Sequence, residues 1–267
     1  MTNQFAVVGN PVAHSLSPFI HQRFAEQAAI QLTYDKILSD DSAFETIVSD
    51  FFNRQGKGLN ITLPFKQRAY ATADIKTERC LKAKAVNTLW LKDGLLHGDN
   101  TDGVGLIRDL TQYIDLKNKH VLIIGAGGAA RGIIPALLDM QLAKLTITNR
   151  TYHKAEQLAV EFASAESVEF NSLARYQLII NATSASLDEQ DLALPETVFE
   201  QQPFCYDLAY RIGQPTPFVT LGKRHGCQVY DGLGMLVEQA AEAFYIWHGF
   251  KPDTRPVLAF LNQSSKN

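Results

Sequence analysis

Residues 121–151 constrain the fold of this 267-residue chain more than any other stretch, and they read VLIIGAGGAARGIIPALLDMQLAKLTITNRT. The apolar run at 121–124 is typical of a buried parallel strand. Gly125, Gly127 and Ala130 follow it and fit the pattern G-x-G-x-x-G/A. There the first glycine permits a sharp turn, the second lets backbone N–H groups approach a pyrophosphate, and the small third residue permits close helix–strand packing. The stretch therefore predicts a strand–turn–helix–strand unit that binds a dinucleotide.

The end of the second predicted strand, residues 145–148, indicates which dinucleotide binds. It falls about 20 residues after the glycines, where NAD-binding proteins carry Asp or Glu for the ribose 2′-hydroxyl. This chain has Asn149, Arg150 and Thr151 there. A guanidinium suits a 2′-phosphate, which an acidic side chain would repel. The corner predicts NADP, although alone Arg150 would be interpreted as a solvated surface arginine.

Composition excludes several classes of protein. A hydrophobic share of 46% with 20% charged residues is typical of a globular protein, and the net charge of −3 gives no reason to expect nucleic acid or an anionic membrane. We see neither a signal peptide nor an apolar run near the ~18 residues that span a bilayer. Cys80, Cys205 and Cys227 are odd in number and widely spaced, which suggests neither disulfides nor zinc. We therefore expect a cytoplasmic protein without a metal, with three reduced thiols buried as small hydrophobes.

Strands and helices alternate along the chain, which predicts an α/β fold with two domains. Predicted strands lie at 5–8, 33–38, 58–62, 85–91, 95–98, 121–124, 145–148, 168–170, 178–181, 205–208 and 228–230. The strands at 85–91 and 95–98 are expected to pair as a hairpin across Lys92-Asp93-Gly94. Predicted helices lie at 18–27 (with Ser17 as its N-cap), 43–55, 101–114, 152–162, 217–225, 233–248 and 256–262. We expect an α/β substrate domain at 1–101, completed by C-terminal helices at 238–267. A Rossmann-type domain with a doubly wound parallel sheet should bind NADP at 102–237, with a ligand cleft between the two domains.

Short polar motifs at predicted strand ends and helix starts identify the family. In chain order they are Ser15-Leu16-Ser17-Pro18, Asn60-Ile61-Thr62-Leu63-Pro64-Phe65-Lys66, Asn87-Thr88, Asn100-Thr101-Asp102-Gly103, GAGGAAR, NRT, Asn181-Ala182-Thr183-Ser184, Tyr206-Asp207-Leu208-Ala209-Tyr210, Thr216-Pro217-Phe218 and the DGLGMLV of residues 231–237. With these motifs in this order, the chain resembles the shikimate dehydrogenase family over nearly its whole length. The resemblance implies NADP-dependent, reversible reduction of 3-dehydroshikimate to shikimate in the biosynthesis of aromatic amino acids.

The resemblance also implies roles for individual residues of the substrate site. Lys66 and Asp102 would be the catalytic pair, in which the ammonium polarises the reacting oxygen and relays its proton while the carboxylate orients both groups. Without the resemblance, Lys66 would be interpreted as a surface lysine and Asp102 as a helix cap. Ser15 and Ser17 would bind the substrate carboxylate. The other implied substrate-binding residues are Thr62, Asn87, Tyr210 and Gln239.

On the cofactor side, the predicted residues form three groups. The glycine-rich turn contributes Gly125, Ala126, Gly127, Gly128 and Ala129. The implied 2′-phosphate site consists of Asn149, Arg150, Thr151 and Lys154. The implied nicotinamide site consists of Thr183 and Met235, and Gly232 is a further implied cofactor-binding residue.

The sequence departs from the family pattern at a few positions and leaves rival functions open. Ala185-Ser186 stands where the family usually has a small residue and then glycine, and Glu238 and Glu242 stand where relatives often have a small residue and a histidine. The rivals are an NAD-using quinate/shikimate dehydrogenase, which the NRT corner argues against, and a non-catalytic NADP-binding regulator, which the retained catalytic pair argues against. A homodimer is one candidate for the oligomeric state, which the sequence leaves open.

Overall fold

The computed structural model describes residues 3–185, 192 and 194–264. The chain divides into two compact units: Met1–Leu106 with Leu236–Ala259, and Ile107–Met235 with Phe260–Asn267. Each unit is built on a six-stranded sheet with helices. The predicted two-domain α/β fold is therefore confirmed. The assignment of substrate to 1–101 with 238–267 and of NADP to 102–237 stays a prediction.

The sheet of the first unit has mixed strand directions. Its strands are β1 (Asn3–Gly9), β2 (Leu32–Leu38), β3 (Gly58–Ile61), β4 (Ile75–Lys76), β5 (Thr88–Lys92) and β6 (Leu95–Asp99), in the order β2-β1-β3-β5-β6-β4. The first helices in the chain are α1 (Ser17–Gln27), α2 (Phe44–Asn53), α3 (Lys66–Thr72), α4 (Glu78–Ala83) and α5 (Asp102–Leu110). The two strands β1 and β3 are parallel, whereas β3–β5 and β5–β6 are antiparallel pairs. A buried core lies where β1, β3 and α2 contribute side chains such as Val8, Leu59 and Phe52.

A two-residue turn joins β5 to β6 and fixes their register. Asp93 and Gly94 have φ angles of 53° and 77°, both in the left-handed region. A two-residue hairpin loop of this kind needs positive φ at both positions, and Asp-Gly is among the sequences that supply it most readily. The turn was predicted from the sequence, and it pairs Thr88 with Asp99 at the far end of the hairpin. That end carries the polar residues described below.

The sheet of the second unit is wholly parallel. Its strands are β7 (His120–Ile124), β8 (Lys144–Thr148), β9 (Ala165–Ser167), β10 (Leu178–Asn181), β11 (Phe204–Asp207) and β12 (Val229–Tyr230), in the order β12-β11-β10-β7-β8-β9. The remaining helices are α6 (Gly128–Leu138), α7 (Tyr152–Glu161), α8 (Pro217–Arg224), α9 (Leu233–His248) and α10 (Arg255–Ser264). The strand order reverses at β7, and ligands of doubly wound sheets bind at the carboxyl ends of the strands beside such a reversal. The predicted doubly wound sheet is therefore confirmed, and β7 and β10 meet at its switch point.

Two local predictions differ from the structure, and three short elements were not predicted. The strand predicted at 168–170 is wrong: β9 is Ala165–Ser167, which pairs with β8, and a short 3-10 helix begins at Phe170. The apolar Val168 and Phe170 suggested a strand there, but pairing along the sheet edge selected the preceding residues. Ser17 is not the N-cap of α1, because Leu16 holds that position with helical backbone angles and Ser17 is the first helical residue. The elements α3, α4 and β4 were not predicted, since seven, six and two residues are too short to show a period.

The predicted burial of the cysteines is confirmed, because Cys80, Cys205 and Cys227 are all buried. Within the described ranges, none of the helices has both the length and the apolar character to cross a membrane. Those same ranges contain no cluster of three or more His, Cys, Asp or Glu side chains that could hold a metal ion.

Candidate active site

Lys66 and Asp102 come together in the first unit although 36 positions separate them. Lys66 is the first residue of α3 and Asp102 the first residue of α5. The Nζ atom of Lys66 lies 2.6 Å from Oδ2 of Asp102, and the two side chains are only 13% and 5% exposed. Buried charges persist in proteins when they are paired in this way. An ammonium has three N–H donors, so Lys66 can hold Asp102 and still donate to an oxygen of a substrate.

Asn87, immediately before β5, is the centre of the hydrogen bonds around this pair. Its Nδ2 donates to Oδ1 of Asp102 at 2.9 Å and to Oγ1 of Thr101 at 2.8 Å, and it lies 3.2 Å from Oε1 of Gln239. Its Oδ1 accepts from the backbone N–H of Thr101 at 2.8 Å and from the hydroxyl of Thr88 at 2.9 Å. Both carboxylate oxygens of Asp102 therefore have partners, Lys66 on one and Asn87 on the other. The carboxylate is fixed in orientation before any substrate arrives.

The turn between β6 and α5 is held by Asn100. Its Oδ1 accepts from the backbone N–H of Asp102 at 3.1 Å, and its Nδ2 donates to the carbonyl of Ala85 at 3.0 Å. Asn100 is 2% exposed, so these bonds are protected from water. Asn100 belongs to the motif at 100–103, but its role was not predicted from the sequence. Its place two residues before Asp102 was the available signal, because Asn side chains commonly bond the backbone two residues further on.

Asn60 supports Asn87 from the neighbouring strand β3 and was also missed as a functional residue. Its Nδ2 donates to the carbonyl of Asn87 at 3.1 Å and lies 3.2 Å from Oγ1 of Thr88. Its Oδ1 accepts from the hydroxyl of Tyr34 at 2.7 Å. Burial raises the pKa of Tyr34, and a hydrogen bond with Ser17 opposes this shift. Tyr34 therefore stays protonated as the donor to Asn60.

The two serines predicted to bind a carboxylate lie side by side at the start of α1. The Oγ atoms of Ser15 and Ser17 are 3.1 Å apart, and the backbone N–H of Ser17 donates to Oγ of Ser15 at 3.2 Å. Thr62, which follows β3, is half-buried, and its N–H donates to the carbonyl of Val8 at 2.9 Å. Tyr210 belongs to the second unit, where it is half-buried in the segment after β11. Among the predicted substrate residues, Asn87 is hydrogen-bonded to Asp102, and Gln239 lies within hydrogen-bonding distance of Asn87.

The glycine-rich turn of the second unit has room for a pyrophosphate. Gly125 has a φ of 114°, and a Cβ there would lie 2.9 Å from the carbonyl oxygen of Ala182, so only glycine fits. A Cβ on Gly127, the N-cap of α6, would meet none of the described atoms within 4 Å. Open space therefore lies beside a helix N-terminus, whose unpaired N–H groups and partial positive charge suit a phosphate group. The turn fits a dinucleotide: Ala126 lies within it, and Gly128 and Ala129 are the first two residues of α6.

The corner after β8 presents cations at a second helix N-terminus. Arg150 and Lys154 are exposed, and Thr151 is the N-cap of α7. The Nδ2 of Asn149 donates to the carbonyl of Thr151 at 2.9 Å, which holds the corner in shape. Two cations beside a helix N-terminus fit the charge of a 2′-phosphate. Their role in binding stays a prediction.

The ends of β10 and β11 are joined by a buried polar network that orients Thr183. Oδ1 of Asn181 accepts from the Thr183 hydroxyl at 2.8 Å and from its N–H at 3.1 Å, while Nδ2 donates to Oδ1 of Asp207 at 2.9 Å. Thr216 donates to Oδ2 of Asp207 at 2.6 Å. Sequence reasoning named Thr183 and gave no role to its three supporting neighbours. Ser186, the second residue of the Ala185-Ser186 departure from the family pattern, lies outside the described residues.

Gly232 immediately precedes α9, and Met235 lies in the first turn of that helix. A Cβ on Gly232 would come within 2.1 Å of the Leu208 carbonyl oxygen, so this close approach of two backbones requires glycine. Met235 is 8% exposed. The two unusual glutamates further along α9 both have partners. Glu238 accepts from the Thr254 hydroxyl at 2.6 Å, and Glu242 accepts from Nη1 of Arg79 at 2.7 Å.

The second unit has a doubly wound sheet with a glycine-rich turn at its switch point, and the first unit carries a buried Lys–Asp pair. These features define the class of two-domain nicotinamide-dependent dehydrogenases. Family models agree: the shikimate dehydrogenase substrate binding domain matches residues 7–89, shikimate / quinate 5-dehydrogenase matches residues 107–208, and the shikimate 5'-dehydrogenase C-terminal domain matches residues 232–259.

Individual relatives are similar over nearly the whole chain. The shikimate dehydrogenase (NADP(+)) of Legionella pneumophila (strain Corby) is 55% identical over 262 residues, which are 98% of this chain and 99% of that protein. The crystal structure of shikimate 5-dehydrogenase from Thermus thermophilus, in complex with NADP(H) and shikimate, has a TM-score of 0.88 and 34% identity and covers 99% of this chain and 100% of that one. The crystal structure of shikimate dehydrogenase from Aquifex aeolicus has a TM-score of 0.87 and 30% identity, and the match covers 100% of this chain and 98% of that one. The chain belongs to the shikimate dehydrogenase family, which confirms the resemblance inferred from the motifs.

Proposed function

We propose that this protein reversibly reduces 3-dehydroshikimate to shikimate with NADPH, a step in the biosynthesis of aromatic amino acids. The observation that carries the proposal is the buried contact of 2.6 Å between Lys66 Nζ and Asp102 Oδ2. It occurs in a chain whose relatives are named for this reaction, one of which is solved in complex with NADP(H) and shikimate.

The cofactor supplies or accepts a hydride when it is bound. In this proposal Gly127 and the N-terminus of α6 hold its pyrophosphate, and Arg150 with Lys154 binds the 2′-phosphate. No acidic side chain occupies the corner at Asn149, Arg150 and Thr151, where one would favour NAD. NADP is therefore the preferred cofactor. Thr183, Gly232 and Met235 contact the nicotinamide end.

Lys66 and Asp102 carry the acid–base chemistry in this proposal. The reacting oxygen of the substrate gains a proton during reduction and loses one during oxidation. The Lys66 ammonium donates a hydrogen bond to that oxygen and moves its proton, while Asp102 keeps the ammonium in place and stabilises its charge. Because Asn87 binds the second oxygen of Asp102, the carboxylate keeps one orientation throughout. Such preorganised charges lower the barrier without reorganising during the reaction.

The remaining polar groups match a hydroxylated ring that carries a carboxylate. Ser15 and Ser17 offer two adjacent hydroxyls at a helix start for the carboxylate. Thr62, Asn87 and Gln239 bind the ring hydroxyls, and Tyr210 is a further substrate-binding residue. A site with several buried hydrogen-bonding groups discriminates against molecules that leave them unpaired.

A spectrophotometric assay of reduced nicotinamide formation tests the proposal. Shikimate and quinate are each supplied with NADP+ and with NAD+, which gives four rates. Shikimate with NADP+ should be fastest by a wide margin. Comparable rates with quinate or with NAD+ would instead identify the broader quinate/shikimate dehydrogenase activity. Absence of turnover with all four pairs would favour a non-catalytic NADP-binding regulator.

Two further proposals concern the setting of the enzyme. We place it in the cytoplasm, because its three free, buried thiols suit a reducing compartment. A homodimer stays a prediction, and light scattering of the purified protein at assay concentration tests it.

A further inference from the structure

An ion cluster lies beside the candidate active site, in the first unit, and consists of Arg79, Asp99 and Glu242. We call it the Arg79 cluster. Arg79 lies on α4, and its Nη2 and Nε are 2.6 and 3.2 Å from the two carboxylate oxygens of Asp99. Its Nη1 donates to Oε1 of Glu242 at 2.7 Å. The side chains of Asp99 and Glu242 are 3% and 12% exposed, whereas that of Arg79 is 38% exposed, so the carboxylates are buried and the guanidinium partly faces solvent. Hydrogen bonds between ionised groups of this kind are among the stronger ones in proteins.

Through Asp99, the Arg79 cluster holds the turn that carries Asp102. Asp99 is the last residue of β6, and its Oδ1 accepts from the N–H of Asn100 at 2.7 Å and from the Thr77 hydroxyl at 2.5 Å. Asn100 in turn accepts from the N–H of Asp102. A continuous chain of hydrogen bonds therefore connects Arg79 to the backbone of Asp102.

Through Glu242, the same arginine holds helix α9. Glu242 lies three residues after Gln239, and residues three apart are neighbours on one side of a helix. Oε1 of Gln239 lies 3.2 Å from Asn87 Nδ2 and 3.3 Å from Thr101 Oγ1. Both distances are at the long end for hydrogen bonds, so a small displacement of α9 is enough to break them.

We propose that Glu242 is a positioning residue for substrate binding: its bond to Arg79 fixes α9 against the β6–α5 turn and thereby sets Gln239 beside Asn87 and Thr101. The inference rests on the proposed function, in which Gln239 and Asn87 bind the ring hydroxyls of the substrate. Glu242 itself touches Arg79, and its effect reaches the substrate through Gln239. Its loss should therefore weaken substrate binding far more than it changes the chemical step.

Three variants of α9 test the proposal by steady-state kinetics in the direction of shikimate oxidation. Glu242→Leu removes the acceptor for Arg79, whereas Glu242→Gln keeps an oxygen that can accept the same bond. Glu238→Leu is the matched control, because it removes a glutamate of the same helix that binds Thr254 rather than Arg79. Glu242→Leu should raise KM for shikimate about fivefold, equivalent to losing one weak hydrogen bond, with little change in kcat or in KM for NADP+. Glu242→Gln should restore most of the loss, and Glu238→Leu should resemble the wild type.

A second measurement separates positioning from a general effect on folding. In a Gln239→Ala background, Glu242→Leu should raise KM no further, because the residue through which it acts is already gone. Equal KM for the wild type and Glu242→Leu, or an undiminished effect of Glu242→Leu without Gln239, would overturn the inference. Failure of the proposed function is distinguishable, since it would already appear in the wild type as a lack of shikimate turnover.

Discussion

Acid should destabilise the first unit through His21, a residue of α1 with no part in the proposed reaction. Its imidazole is 0% exposed and lies among aromatic rings, with Tyr34 stacked at 4.4 Å and Trp247 at 5.3 Å between centroids. Neither ring nitrogen has a hydrogen-bond partner of ordinary geometry among the described residues. Burial lowers the pKa of His21 from 6.5 to about 3, His248 lowers it further, and Asn60 opposes the shift. The ring is therefore neutral in the folded protein.

The size of the effect follows from proton linkage. His21 in the unfolded chain binds a proton below pH 6.5, whereas His21 in the folded chain stays neutral down to about pH 3. The unfolded state therefore binds more protons in this window, so stability falls as the pH falls through 6.5. Between pH 8 and pH 5 the expected loss is about 2 kcal/mol, from ~1.5 pH units at ~1.4 kcal/mol each. This value does not depend on the folded pKa as long as that pKa lies well below 5.

Urea unfolding monitored by tryptophan fluorescence measures this loss of stability in the first unit, which contains His21. The two tryptophans of the chain, Trp90 and Trp247, both belong to the first unit. His21→Phe keeps an aromatic ring without a titratable group, and it should lose about 2 kcal/mol less than the wild type between pH 8 and pH 5. His14→Gln removes an exposed histidine as a control and should leave the wild-type pH dependence unchanged. Burial also lowers the pKa of His248, so some pH dependence should remain in the His21 variant. An identical pH dependence in His21→Phe and the wild type would refute the argument.

Three further variants test the catalytic pair, the cofactor corner and a buried hydrogen bond. Lys66→Ala should lower kcat by about 10² to 10⁴ while NADPH still binds in a fluorescence titration, and unchanged turnover would show that Lys66 is misassigned. Arg150→Ala should raise KM for NADP+ about tenfold, because a charge-assisted contact with the 2′-phosphate is lost. KM for NAD+, which has no 2′-phosphate, is the control, and an equal change in both KM values would contradict the prediction. Tyr206→Phe removes the hydroxyl that donates to Oδ2 of buried Asp109 at 2.6 Å. This variant should lower the free energy of unfolding by about 1–3 kcal/mol in chemical denaturation, whereas Tyr245→Phe, at an exposed position, should lower it little. Equal free energies of unfolding for Tyr206→Phe and the wild type would contradict this prediction.

Sequence patterns predicted those parts of the fold in which the signal repeats over a short stretch. Strand β7, the turn at Gly125 and Gly127 and helix α6 were all expected, because apolar runs and glycine spacing reflect local backbone requirements. The hairpin turn at Asp93 and Gly94 was found for the same reason. Helices α3 and α4 were missed because they are shorter than two full turns of a helix. Strand β9 was misplaced because pairing with β8, rather than its own composition, decides where it begins.

The candidate site was only partly accessible to sequence reasoning. Lys66, Asp102 and Asn87 were named from the family resemblance, since nothing in their local spacing connects them. The supporting roles of Asn60 and Asn100 went unrecognised, because their partners are defined by hydrogen bonds between separate elements.

The sequence by itself determined the class of fold, the dinucleotide turn and the charge at the NRT corner, since each is written into a few consecutive residues. The tertiary structure alone decided which distant side chains meet. Lys66 reaches Asp102 across 36 positions, Asn87 reaches Gln239 across 152, and Arg79 reaches Glu242 across 163. Such contacts depend on the path of the whole chain, because sheet pairing and core packing must close long loops before these polar groups can bond. Burial then gives those bonds their strength, and burial is a property of the folded chain.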